Sequence, residues 1–161
     1  MKALTITQPW ASLIALGAKQ VETRSWSTHY RGALAVHAGD GLGPVGGQRG
    51  LAALLLTEPF RSVLVQAGIH DSRDLPRGCI VAIGDLVAVF PAGVVDDRGI
   101  PLSAQERAFG DYTAGRYGWQ MENVRSFSSP VPARGALGLW EWEPLDDWLA
   151  RLQPVTSSPR Q

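Results

Sequence analysis

The chain has 161 residues, 45% of them apolar and 19% charged, which suits one folded domain and excludes the apolar-poor, charge-rich make-up of disorder. Its 15 basic side chains balance 15 acidic ones, so no global field draws it to polyanions, and nucleic-acid binding would need a local basic patch or a single-nucleotide pocket. A lone cysteine, Cys79, a start without a signal peptide's apolar core, and apolar runs (51–56, 80–83) far short of the ~20 residues that cross a bilayer lead to the expectation of a cytoplasmic protein with no membrane contact.

In chain order, residues 8–17 read as a short helix. Pro9 presets φ for the first turn, Trp10, Leu13, Ile14 and Gly17 recur at helical spacing, and the glycine ends it. Residues 20–26 then turn strand-like, with Val21 and Thr23 on one face and Glu22, Arg24 and Trp26 on the other. If that strand lines a cleft, two ionisable groups and an indole converge in it.

One pattern of arginine, glycine, small residue and apolar run occurs three times, from Arg31-Gly32, Arg77-Gly78 and Arg134-Gly135, each reading as a turn that feeds a buried strand. Residues 39–50 hold six glycines and read as a flexible loop or flap, while 49–56 and 59–67 carry helical apolar spacing and should pack outside the sheet. A strand over 79–90, a turn-rich excursion over 91–101 with Asp96 and Asp97, and further strands over 117–124 and 139–143 follow. Leu145, Trp148, Leu149 and Leu152 form a last helical stripe, so a single domain over 1–152 and a flexible tail over 153–161 are expected. His29, His37 and His70 lack ligand spacing and have one cysteine to help them, so no metal site is expected.

The most informative stretch is Gly17-Ala18-Lys19-Gln20-Val21-Glu22-Thr23-Arg24, which fits G-x-K-x-x-E-x-R, with Gln8-Pro9-Trp10-Ala11 before it and Arg31-Gly32 and Val36-His37-Ala38 after it. Here the chain resembles the ASCH domains, relatives of the PUA-like barrels, and within them the EOLA-like branch. The similarity continues through Pro76-Arg77-Gly78-Cys79 and through Gly115-Arg116-Tyr117-Gly118-Trp119 to cover most of residues 1–143. The resemblance implies an α+β fold, a small PUA-like β-barrel of five or six strands with flanking helices, and a cleft for a nucleobase or an RNA segment. It also implies a choice among hydrolysis of the exocyclic amide of N(4)-acylated cytidine, non-catalytic RNA binding and ribonuclease action, and fold alone does not choose.

Amide hydrolysis needs a nucleophile, a base and a stabiliser for the oxyanion. Lys19 can serve as base or hold the oxyanion, and Glu22 can activate a water. In the small acetylcytidine amidohydrolases that the motif resembles, a lysine works with a hydroxyl residue three positions on and a distant glutamate. Here Glu22 occupies the hydroxyl position, which favours direct attack by water, and strand parity turns Thr23 away. Glu106 is the first candidate for the distant carboxylate by chain order, with Glu122 next.

Arg24 would orient the reacting groups. Trp10, Trp26 and Trp119 are either core packing or a stacking wall for a planar base. Tyr117, set among Gly115 and Gly118, is a pocket or packing residue, and His37 a pocket or core residue. The expected partner is a small-molecule nucleoside or nucleobase, with neither metal nor organic cofactor, because a neutral chain suits a neutral substrate. RNA capture, helped by Arg24, Arg31, Arg116, Arg125 and Arg134, ranks second and ribonuclease action third.

Overall fold

The structure is a computed structural model that describes residues 1–93 and 102–155. Among the described residues seven strands, β1 (Lys2–Ile6), β2 (Val21–Arg24), β3 (Gly32–Ala38), β4 (Cys79–Pro91), β5 (Tyr117–Pro132), β6 (Leu139–Glu141) and β7 (Leu152–Pro154), form one mixed sheet. The order is β2-β5-β4-β3-β1-β6, with β7 added to β5; β1 and β3 run parallel and every other pair antiparallel. Three register shifts along β4 and β5, and one between Val36 and His37 against β4, raise the local twist as bulges do. The sheet thereby curls into a half-barrel, the expected α+β, PUA-like architecture.

Strand parity separates two cores. Leu4, Ile6, Leu34, Val36, Trp119 and Met121 meet Ala11 and Ile14 of helix α1 (Trp10–Ala15). On alternate positions Ala3, Ala35, Ile80 and Ile83 join Phe127, Val131 and Trp142. A third cluster ties Leu13 to Phe60 and Leu64 of α3 (Phe60–Gln66) and to Phe109 of α4 (Ala104–Phe109). Helix α2 (Gly47–Leu55) precedes α3, and α5 (Asp146–Leu149) lies before β7. Among the described residues no helix is long and apolar enough to cross a membrane.

Several elements depart from the sequence reading. The third arginine-glycine repeat is no strand entry: Leu137 is 99% exposed and β6 begins only at Leu139. Gly135 is there for close approach, since a Cβ would come within 2.5 Å of His37 Cε1 and 2.8 Å of Thr5 Oγ1. The glycine-rich stretch is partly helical, with a 3-10 turn at Gly43–Val45 and α2 starting at Gly47.

The final helix has only four residues, and the expected boundary between 152 and 153 falls inside β7, whose residues Leu152, Gln153 and Pro154 pair with Phe127, Ser126 and Arg125. Residues 156–161 of the expected tail, and most of the excursion with Asp96 and Asp97, lie outside the described residues. β1 and α4 were not anticipated. Each is short, and its burial comes from neighbours distant in sequence: β3 and β6 for β1, and β2 for α4 through Glu106.

Candidate active site

The site begins where α1 stops. Gly17, at φ 73°, turns the chain, and the N–H groups of Ala18 and Lys19 both return to the carbonyl of Leu13, so the chain passes from helix to strand in a few residues. Lys19 is thereby carried inward, 1% exposed. Its ammonium donates to the Val21 carbonyl and lies 3.6 Å from Glu106 Oε1.

Glu106 reaches that point because Ser103 caps α4, its Oγ accepting from Glu106 N at 3.0 Å. In a reciprocal capping box the glutamate would turn back to its own helix. Instead its carboxylate accepts from Gln20 N at 2.9 Å and Val21 N at 3.0 Å, covering the open edge of β2.

Glu22 and Arg24 share a face of β2, and across the antiparallel register they sit opposite Trp119 and Tyr117, so all four side chains project to one side of the sheet. Glu22 is 7% exposed. Burial raises its pKa above the ordinary carboxylate value, opposed by the charges of Lys19, Arg24 and Arg116. Arg24 Nη1 lies 3.4 Å from Glu22 Oε1 and donates to the Thr5 carbonyl at 3.5 Å, while its guanidinium carbon stands 5.9 Å from the Trp26 ring centroid. Trp26 is only partly buried and meets Trp119 edge-to-face at 4.6 Å.

Lys19, Glu22, Arg24 and Glu106 are thus one cluster, with Trp26 and Tyr117 beside it. Other expected site residues are set apart. Trp119 is 0% exposed and its indole donates to the Trp26 carbonyl at 3.1 Å, so it supports Trp26 and offers no free face. Trp10 donates to the Phe109 carbonyl at 2.7 Å and packs edge-on to Phe60, joining α1 to α3 and α4.

His37 is buried against Trp140, and its Nε2 donates to the Ala133 carbonyl at 2.9 Å. Its strand neighbours on the alternate parity, not the Lys19 cluster, surround it. Glu122 is exposed and accepts from Gln120, leaving Glu106 as the second carboxylate. Thr23 Oγ1 accepts from Asp111 N, on the face of β2 turned away from Glu22.

Two neighbours escaped the sequence reading of the cluster. Arg116 donates to the Thr23 carbonyl at 3.1 Å and bears on Glu22 by charge. Tyr112, in the loop after α4, lies close enough to Glu106 and Glu22 for both carboxylates to raise its pKa, after the larger effect of burial. The available signal was Ser103-x-x-Glu106, a helix-start pattern that would have placed α4 and the loop behind it against the lysine motif.

Residues 4–130 match the ASCH domain. The chain belongs to the ASCH family. The matched stretch runs from β1 into β5 and contains all four cluster residues. This ASCH chain is also 37% identical over 84 residues to Activating signal cointegrator 1 of Mus musculus. That segment is 52% of the chain but 13% of the mouse protein, so only a small part of that relative is shared.

Chemically, the ASCH cluster joins a carboxyl with a single guanidinium contact, Glu22, to a cation fixed by a second carboxylate. Glu106 is occupied by two backbone N–H groups, whereas Glu22 has one guanidinium contact, which leaves Glu22 the freer proton acceptor. Among the described residues no group of three or more His, Cys, Asp or Glu side chains is disposed to hold a metal ion.

Proposed function

We propose that this ASCH domain hydrolyses the exocyclic amide of N(4)-acylated cytidine-type nucleosides, as a member of the branch that resembles the small acetylcytidine amidohydrolases. The observation that carries the reading is Glu22: a buried carboxyl with a raised pKa, held between Lys19 and Arg24 beside a partly exposed indole. A carboxyl tuned upward is a better proton acceptor than an ordinary carboxylate.

In this mechanism Glu22 takes a proton from water as the water oxygen bonds to the acyl carbon. Lys19 and Arg24 oppose the negative charge that gathers on the carbonyl oxygen. The bond from carbon to the exocyclic nitrogen then breaks, that nitrogen takes the proton from Glu22, and cytidine leaves with a carboxylic acid. Glu106 fixes Lys19 through the ion pair and the β2 backbone. Trp26 and Tyr117 frame the base.

The test is a spectrophotometric assay of N(4)-acetylcytidine with wild type, Lys19→Ala and Glu22→Gln. Turnover by wild type and a fall of about 100-fold or more in both folded variants is the expected result, the size typical of a lost acid–base group. No turnover of any acylated cytidine by wild type would overturn the reading.

A second reading, capture of an extruded RNA base without chemistry, draws on the Arg24–Trp26 stack, where a partly exposed indole lies beside a cation. It expects RNA affinity that falls steeply with salt and survives Glu22→Gln.

A further inference from the structure

The polar atoms of the Lys19 cluster are unequally engaged. Lys19 donates to the Val21 carbonyl and faces Glu106, while both Glu106 oxygens accept backbone N–H groups. The Tyr112 hydroxyl differs: it is buried and has no hydrogen-bond partner among the described residues. A buried donor left unpaired gives up its hydration without return, so its retention calls for a reason.

The fold holds this ring in position closely. A Cβ on Gly110 would lie 2.6 Å from Tyr112 Cε2 and 3.2 Å from Thr23 Cγ2, so the chain leaves α4 at a glycine that lets the ring approach closely. The next residue is tied to β2 by Asp111 N donating to Thr23 Oγ1 at 3.1 Å. Arg116 closes the loop, with Nε 3.3 Å from Asp111 Oδ2 and Nη2 on the Thr23 carbonyl. The loop that carries the phenol is therefore tied at Asp111 and Arg116 to the strand that carries Glu22.

We propose that the Tyr112 hydroxyl is a hydrogen-bond donor to the substrate's acyl carbonyl oxygen, a role that rests on the amidohydrolase reading of the same site. Burial and the nearby carboxylates of Glu106 and Glu22 raise its pKa, which keeps the phenol protonated and fit to donate but not to act as a base. The assignment divides the work: Glu22 takes the proton of water, and Tyr112 with Lys19 opposes the charge on the oxygen. The phenol O–H bond stays intact throughout, so the balance of the hydrolysis is unchanged.

The experiment is steady-state hydrolysis of N(4)-acetylcytidine by wild type and Tyr112→Phe, with thermal unfolding of both. Because the hydroxyl is unpaired without substrate, its removal should leave Tm equal or higher. The kcat should fall about 100-fold with KM within about threefold, the signature of a contact strengthened in the transition state.

An active wild type with an equally active Tyr112→Phe overturns the Tyr112 role alone. A loss of activity accompanied by a lowered Tm also overturns it, since the hydroxyl would then be structural. An inactive wild type overturns the parent reading and this role together.

Discussion

A carboxyl group inside a protein must have its charge answered or give it up, and the charges of the two glutamates of this site are answered unequally. Glu106 accepts two backbone N–H groups and faces Lys19. Glu22 has one guanidinium contact at 3.4 Å, and burial raises its pKa. The folded state therefore binds the Glu22 proton more tightly than the unfolded chain does. Stability from this group is fully present below the ordinary carboxylate pKa and is lost as pH rises through the raised value. Glu22→Gln should consequently stabilise the fold at about pH 7 and lose that advantage at about pH 3, where both side chains are neutral. Urea denaturation at the two pH values checks this, and a variant less stable at neutral pH would show that the Arg24 contact outweighs burial.

At the scale of elements, β2 was legible because a period-2 strand assigns faces by counting, so Glu22, Arg24 and Trp26 could be grouped before any pairing was known. Its partner was less legible. β5 runs 16 residues to Pro132, well beyond the expected 124, because Pro130 and a run of serines resemble a strand's end. Helix α4 has six residues and a single strongly apolar anchor, Phe109, too little for periodicity to register.

Because α4 is so short, its N-cap matters. Ser103→Ala removes the acceptor of Glu106 N and should cost about 1 kcal/mol. It should also loosen the Glu106 carboxylate, with hydrogen exchange rising at the Gln20 and Val21 amides that it covers. Unchanged protection there would mean that β2 holds Glu106 without help from the cap.

For the whole molecule, the half-barrel depends on late strands that return to early ones. β6 pairs with β1, β7 pairs with β5, and Leu152 packs with the cluster of Phe127, Trp142 and Trp148. Truncation after Arg151 removes β7 and the Val155 contact at Gly17, where a Cβ would stand 2.6 Å from Val155 Cγ1. The shortened chain should lose roughly 2 kcal/mol or more, a fall in Tm of about 4–8 °C by differential scanning calorimetry. An unchanged Tm would return this segment to the expected tail.

The lysine motif, the strand faces and the α+β class follow from local order, because helix stops, strand alternation and turn glycines act within a few residues of one another. The amino-acid sequence by itself therefore determined that Lys19, Glu22 and Arg24 belong together and that Glu106 was a candidate for the second carboxylate. Only the tertiary structure decided that Glu106 rather than Glu122 meets Lys19, and that Trp10, His37 and Trp119 are packing residues. It alone brought the loop of Tyr112 against β2. Most of these contacts join segments about 50 to 100 residues apart, fixed by sheet register and by which face of each element finds a core.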